Sequence, residues 1–162
     1  MTDHVLSHDS ETPAHGQQVI TACAFIHHSV DGVEKLFMPK RAATKKFLPG
    51  VFELPGGHID FGEDIVAGLK REIQEELHRD IAVGDPFAVF TYVNEIKGSH
   101  SIEVIYFAQF TTDIYQIELN PEDHSEYKWF TENELGELPA DEETEAIKKG
   151  FALLRGESLQ TS

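Results

Sequence analysis

The sequence has few of the features that mark secreted, membrane-spanning or metal-cluster proteins. It contains one cysteine, Cys23, so neither an internal disulfide nor a cysteine metal cluster can form. No apolar run exceeds five residues, as in Ala22–Ile26 and Val104–Ala108, whereas a membrane-spanning helix needs about 20. The first sixteen residues have no lysine, no arginine and no apolar stretch, which argues against a signal peptide. The sequence therefore predicts a cytoplasmic protein without a membrane partner.

Positive charge is also scarce. Lysine and arginine number 13 against 29 aspartates and glutamates, giving a net charge of −16. A protein that binds nucleic-acid backbones needs a basic surface, so we do not expect a nucleic-acid partner. One stretch, here called the basic segment, has five basic residues and no acidic one: Lys35, Lys40, Arg41, Lys45 and Lys46. This segment indicates either a small anionic ligand or the solvated edge of a strand.

Length and composition indicate one globular domain. The 162 residues are 40% hydrophobic and 26% charged, and a chain of this size can bury roughly 70% of its unfolded surface. We divide it into a polar arm at 1–16, a folded domain at 17–156 and a tail at 157–162. The arm has histidines at 4, 8 and 15, whose spacing fits no familiar zinc pattern. Since it lacks core periodicity, we expect its removal to leave folding intact.

Apolar patterning predicts strands, a helix, further strands and a closing helix. The predicted strands are Val19–Ile26, Lys35–Lys40, Phe87–Val93, Ile102–Phe110 and Glu126–Phe130. One helix is expected from Asp64, as its N-cap, to Leu77, and another over Glu142–Arg155. Residues 47–57 contain two Pro-Gly pairs, which are too disruptive for a long regular element. The order favours one α/β or α+β domain with a mixed sheet.

Three glutamates share one face of the first predicted helix. Glu75 and Glu76 follow Glu72 by three and four residues, which places the carboxylates within an arc of about 100°. Like charges at these spacings repel, whereas Mg²⁺ prefers oxygen ligands and would hold them together. Arg71 can pair with Glu75 four residues on. Taken alone, the three glutamates also fit a solvated acidic helix face.

A longer spacing pattern narrows these alternatives. The stretch from Gly57 to Arg79 resembles the Nudix box, G-x5-E-x7-R-E-U-x-E-E-x-G-U, in which U is aliphatic. The matching residues are Gly57, Glu63, Arg71, Glu72, Ile73, Glu75 and Glu76. His78 and Arg79 replace the last glycine and the last aliphatic residue. That glycine normally ends the helix in a left-handed conformation, so the loop geometry is the part of the box that these replacements affect.

The resemblance implies a fold, a reaction and a set of roles. The fold would be an α/β/α sandwich with a mixed sheet, and the reaction would be Mg²⁺- or Mn²⁺-dependent hydrolysis of a nucleoside diphosphate linked to a further group. The implied metal ligands are Glu72, Glu75, Glu76 and a carbonyl of Gly56 or Gly57. Glu72 would also deprotonate or orient the attacking water. Arg71 and Glu63 would hold the loop and the helix in register.

One acidic residue outside the helix is expected to serve as a further metal ligand or base. The candidates are Glu103, Glu122 and Glu126. The family often supplies such a group from the loop before the last strand, which favours Glu122 or Glu126. Arg41, in the basic segment, is a predicted phosphate contact. His58 is predicted to pack or face solvent, and Trp129 to pack in the core, rather than to bind substrate.

A small-molecule nucleotide is the expected partner, and a nucleoside triphosphate, as in MutT-like members, is the predicted substrate. Some ADP-ribose hydrolases of the family have a proline beyond the box, where this chain has Asn94, Glu95 and Ile96. ADP-ribose or nucleotide-sugar hydrolysis, a non-catalytic nucleotide-binding module and a homodimer stay open. An isopentenyl diphosphate isomerase, a Nudix relative, needs a cysteine near the Gly-His pair, and Cys23 is distant in sequence.

Overall fold

A computed structural model describes residues 15–157. The strands are β1 Gln18–Val30, β2 Val33–Arg41, β3 Gly56–His58, β4 Ile81–Asn94, β5 Ser99–Phe110 and β6 His124–Phe130. The helices are α1 Ile65–Leu77, α2 Glu142–Leu154 and a 3₁₀ helix at Glu132–Glu137. No helix among the described residues is long and apolar enough to cross a membrane. Apart from residues 15, 16 and 157, the proposed arm and tail lie outside the described range.

The strands form the mixed sheet that the sequence predicts. Its order is β4-β5-β1-β2-β6, with β3 paired to β1 beside this path. β1 runs parallel to β5 and antiparallel to β2 and β3. β2 lies between β1 and β6, so the interpretation of the basic segment as a solvated sheet edge is wrong for its strand residues.

Alternate residues of β1 divide the core into two layers. Ala24 and Ile26 pack in the cluster that contains Ile73 of α1, whereas Phe25 packs in the cluster that contains Phe151 of α2. Successive side chains of a strand point to opposite faces, so the two helices cover opposite sides of the sheet. The predicted α/β/α sandwich is confirmed.

Both ends of α1 carry the caps that the box requires. The Asp64 carboxylate accepts a hydrogen bond from the Ala67 amide at 3.0 Å, which confirms the predicted N-cap. His78 ends the helix at φ 54° and ψ 39°, and its amide donates to the Gln74 carbonyl at 3.0 Å. Histidine therefore adopts the left-handed conformation that glycine usually fills, and the helix still ends at the position that the box requires.

β3 is a short strand of three residues that begins in the segment 47–57, where the Pro-Gly pairs predict only a short extended piece. Gly56 has φ 148°, and a Cβ atom there would stand 2.1 Å from the Ala22 carbonyl oxygen. His58 of this strand is buried, and Trp129 packs against the ring of Phe37 at 5.4 Å between centroids. The two glycines thus allow close strand pairing directly before α1.

Candidate functional site

Arg71 of α1 joins several parts of the box. Its Nε and Nη2 atoms donate to the two carboxylate oxygens of Glu63 at 2.7 and 3.0 Å. Its Nη1 atom donates to Glu72 at 3.1 Å and to Glu75 at 3.3 Å. Nη2 also donates to the carbonyl oxygen of His58 at 3.1 Å. One guanidinium group therefore holds the loop before α1, the helix and β3 together.

The Arg71–Glu63 ion pair is strongly charge-stabilised. Hydrogen bonding from Arg71 lowers the pKa of Glu63, and Glu63 raises the pKa of Arg71 above its ordinary value. Gly68 makes room for this pair, because a Cβ atom there would lie 2.6 Å from Glu63 Oε1. Glycine inside a helix is usually unfavourable, and this was a signal for the site that the sequence analysis did not use.

Glu72 is half-buried and Glu76 is buried against the two glycines of β3, Gly56 and Gly57. The side chain of Glu72 is 13% exposed and Glu76 is 7% exposed. The Gly56 amide donates to Glu76 Oε2 at 3.3 Å. A Cβ atom on Gly57 would lie 2.5 Å from Glu72 Oε2. Both carboxylates can reach this backbone only because Gly56 and Gly57 have no side chains.

Burial makes these two carboxyl groups resist ionisation. It raises the pKa of Glu72 to about 7, against the opposing charge of Arg71. Burial also raises the pKa of Glu76 well above its ordinary value. Nearby negative charges add to the rise at Glu76, in the order Glu53, Glu72 and Asp123. The site therefore concentrates negative charge that a cation would offset.

The donor chemistry of this site fits a hard divalent cation, which prefers carboxylate and carbonyl oxygens. Glu72 and Glu76 are two such donors beside the backbone of Gly57. Glu75 has a side chain that is 56% exposed, and it is paired with Arg71. Within residues 15–157, no three acidic, histidine or cysteine side chains form a group that could hold a metal ion.

Two acidic residues outside the box lie near Glu76, and the sequence analysis chose neither. Glu53 precedes β3, and Asp123 precedes β6. The turn before β6 is attached to α1, because the Asn120 amide donates to the Glu76 carbonyl oxygen at 3.0 Å. Chain distance hides this approach, since no regular spacing links residues 53 and 123 to the helix.

The two favoured candidates outside the box are placed differently. Glu122 is exposed, and Glu126 lies on β6 with its carboxylate 3.7 Å from Lys40 Nζ. Lys45 Nζ donates to Asp123 at 3.0 Å. Acidic residues around the start of β6 therefore neutralise part of the basic segment.

Arg41 is buried, with 3% of its surface exposed. Its Nε atom donates to the Phe47 carbonyl oxygen at 2.7 Å, and its Nη1 atom donates to Glu53 at 3.3 Å. His124 Nε2 lies 2.8 Å from the other carboxylate oxygen of Glu53. Arg41 and His124 therefore fix Glu53, and with it the negative charge that acts on Glu76.

A cavity of about 290 Å³ lies near the two glycines of β3. Cys23 and Glu103 line it, and Cys23 stands opposite Gly56 in the pairing of β1 with β3. The fold thus brings Cys23 near the Gly-His pair despite their separation in sequence. Burial, with the charge of Glu103, raises the pKa of Cys23 well above its ordinary value, so the thiol stays protonated at neutral pH.

The model of one protein family, the NUDIX domain, matches residues 19–152. The chain belongs to the Nudix family. One curated relative, an uncharacterised Nudix hydrolase of a Nostoc species, is 38% identical over 53 residues, or 32% of this chain. This chain covers 31% of the length of that relative. Nudix hydrolases generally use divalent metal ions.

Solved Nudix structures share the fold. A MutT protein of Methanosarcina mazei has a TM-score of 0.70 at 20% identity, covering 86% of this chain and 96% of its own. An Ap4A hydrolase of C. elegans has a TM-score of 0.71 at 21% identity, covering 86% and 99%. The NUDIX domain of Shewanella oneidensis NrtR, complexed with ADP ribose, has a TM-score of 0.67 at 20% identity, covering 85% and 88%. These identities support the fold and not a particular substrate.

Proposed function

We propose that the protein hydrolyses a pyrophosphate bond in a nucleoside diphosphate linked to a further group, with a nucleoside triphosphate as the preferred substrate. The observation that carries this proposal is the complete acidic set of the box. Arg71 orders Glu63, Glu72 and Glu75, while Glu76 is buried on the Gly56 amide. A degenerate, non-catalytic relative would not need to keep these costly buried carboxylates.

Glu72, Glu76 and the backbone at Gly57 are the proposed holders of Mg²⁺ or Mn²⁺. Glu75, which is paired with Arg71, would have to turn toward the cation to become a further ligand. When bound, such a cation neutralises phosphoryl charge and makes a water molecule a better nucleophile. Glu72 is proposed to take or orient the proton of that water. Arg71 and Glu63 are positioning residues that keep α1 against β3. The charges that act on Glu76 support Glu53 and Asp123 as the acids near it, in place of Glu122 or Glu126.

ADP-ribose and dinucleoside polyphosphates are the second substrate class to test. Solved relatives include a complex with ADP ribose and an Ap4A hydrolase, and their folds resemble this one. The box handles the pyrophosphate group that all these substrates share. Substrate choice must therefore come from residues outside the box.

A hydrolysis screen with and without Mg²⁺ tests the proposal. The panel contains nucleoside triphosphates, ADP-ribose, nucleotide sugars, dinucleoside polyphosphates and isopentenyl diphosphate. We expect metal-dependent cleavage, strongest for a nucleoside triphosphate. Cleavage of another pyrophosphate would change the substrate class, and tight nucleotide binding without turnover would make the protein a sensor.

A further inference from the structure

The cavity near the two glycines of β3 contains two carboxyl groups that the proposed reaction does not use. Glu103 comes from β5 and is 6% exposed. Glu143 comes from the first turn of α2 and is partly buried, with Oε1 3.4 Å from the Leu54 amide. Cys23 links this cavity to the box, because it pairs in register with Gly56. A substrate bound at the box can therefore extend into the cavity.

The charges around the cavity exclude a phosphate chain. Of the described residues that line it, Arg41 alone is positively charged, and Arg41 donates to Glu53. The acidic lining residues are Glu53, Glu103, Asp141, Glu142 and Glu143. Among these, the charges of Glu53, Asp141 and Glu142 would repel phosphates, whereas a cation at the box would attract them. The cavity is left for an uncharged part of the substrate.

Glu103 has an unused hydrogen-bonding atom. Its Oε2 atom is buried and has no hydrogen-bond partner among residues 15–157. Buried polar atoms normally have partners, because a buried hydrogen bond left unmade costs about 1–3 kcal/mol. A ligand group in the cavity would supply the missing partner.

The two carboxyl groups are suited to neutral ligands. Burial raises the pKa of Glu103 to about 8 and raises that of Glu143 well above its ordinary value. At neutral pH each can carry a proton, and a protonated carboxyl group offers one donor and one acceptor. The edge of a nucleobase also presents donors and acceptors side by side. The two patterns are complementary.

The remaining walls of the cavity are apolar and aromatic. Phe47 and Tyr92 both line it, and their rings are nearly parallel, with 10° between their planes and centroids 6.2 Å apart. Phe90 and Val93 also line it. Aromatic faces bind bases of any sequence by stacking, and a volume of about 290 Å³ suits one base better than a larger group.

We propose that Glu103 and Glu143 hydrogen-bond the nucleobase of the substrate and thereby determine which base the site accepts. The proposal rests on the proposed function, because it places a nucleotide at the box. It makes the two residues determinants of specificity and assigns them no part in bond cleavage.

Binding of non-hydrolysable nucleotides tests this without relying on turnover. Dissociation constants for the α,β-methylene analogues of ATP, GTP, CTP and UTP are measured by calorimetry with Mg²⁺ on the full chain. The variants are Glu103→Leu, Glu103→Gln and Glu143→Leu. Glu145→Leu is the matched control, because Glu145 is also on α2 but its side chain is 71% exposed. Thermal melts establish that each variant folds.

We expect the wild type to prefer one base, and Glu103→Leu to reduce that preference by about tenfold or more, equal to about 1.4 kcal/mol. Glu103→Gln keeps a donor and an acceptor, so it should retain the preference within about threefold. Glu143→Leu should also lower the preference for one base, and Glu145→Leu should leave that preference unchanged. Equal binding of the four bases by the wild type, or an equal loss for every base in Glu103→Leu, would overturn the proposal. Selective, Glu103-dependent binding without hydrolysis would refute the proposed function alone.

Discussion

The carboxylate of Glu72 lies so close to Gly57 that a Cβ atom on residue 57 would stand 2.5 Å from Glu72 Oε2. The Gly57→Ala variant must therefore displace Glu72. The displaced group is the end of a side chain, so we expect a stability loss of only about 1–3 kcal/mol. The loss in kcat/KM should reach about tenfold or more, because Glu72 leaves its position.

Gly136→Ala is the control for this change. Residue 136 has open space where its Cβ atom would stand, so activity and Tm should stay near the wild-type values. If Gly57→Ala kept full turnover at limiting Mg²⁺, the fixed position of Glu72 would be irrelevant to catalysis.

The Glu76→Gln variant tests the buried metal carboxylate. Glutamine keeps the size of Glu76 and replaces an ionisable group that is 7% exposed with a neutral one. The apoprotein should be as stable as the wild type or more so, since burial and neighbouring carboxylates already oppose ionisation of Glu76. Stabilisation by Mg²⁺ or Mn²⁺ in thermal melts should disappear, and turnover should fall with it. Glu145→Gln is the exposed control, and unchanged metal stabilisation of Glu76→Gln would contradict its role as a ligand.

Local sequence spacing was enough to predict the centre of the site. Contacts within α1 follow from a fixed helical period, so Arg71 and Glu75 were expected to meet and do so at 3.3 Å. The N-cap at Asp64 also depends on neighbouring residues alone, and it was predicted correctly. These features need no knowledge of the tertiary fold.

Contacts between distant segments could not be predicted in this way. Glu53 and His124 are 71 residues apart and lie 2.8 Å from each other. β2 brings their segments together, because it pairs with β6 and also forms a bridge from Lys40 to Phe52. Cys23 and Gly56 likewise meet through strand register. A single sequence with no periodic link between such residues does not reveal which of its many acids approach the box.

The Arg41→Ala variant tests the predicted phosphate contact. As a phosphate contact, Arg41 would require kcat/KM to fall by about tenfold or more, or about 1.4 kcal/mol, and KM to rise with salt. The acidic lining of the cavity, in which Arg41 donates to Glu53, favours a smaller change. Because Arg41 donates to the half-buried Glu53, Tm should also fall, by an amount that reflects about 1–3 kcal/mol. Lys35→Ala, at the other end of β2, should change both quantities much less. A lower Tm with unchanged kcat/KM would make Arg41 a positioning residue for Glu53 and refute the phosphate contact.

Deletion of residues 1–14 tests the proposed division of the chain. Gly16 is the first described residue with a backbone hydrogen bond into the sheet region, from its amide to the Gly98 carbonyl oxygen at 2.8 Å. Removing the residues before His15 should therefore leave Tm within a few degrees of the full chain. The longer deletion of residues 1–16 also removes that hydrogen bond and should lower Tm slightly more. A large loss of Tm on the shorter deletion would show that the arm contributes to the fold.

Stability of the metal-free protein should fall as pH rises, because of Glu103. Burial raises the pKa of Glu103 from its ordinary value of 4.5 to about 8 in the folded chain. Between these values the folded state binds a proton that the unfolded state has released, so the free energy of unfolding decreases with rising pH. The stabilising contribution is complete below pH 4.5 and is lost by the time pH passes about 8. The other groups that act on Glu103 are Cys23, Glu53, Asp141 and Thr21, and the charge of Glu103 in turn raises the pKa of Glu143.

Glu103→Gln removes this titration while it keeps the shape of the side chain. Urea unfolding in EDTA, at several pH values between 5 and 8.5, gives the free energy of unfolding for both proteins. The net charge of −16 makes every variant less stable at high pH, so the informative quantity is the difference between the two slopes. We expect the wild type to lose more stability than Glu103→Gln over this range. Parallel curves would show that Glu103 is ionised at neutral pH, and would remove the protonated carboxyl group from the description of the cavity.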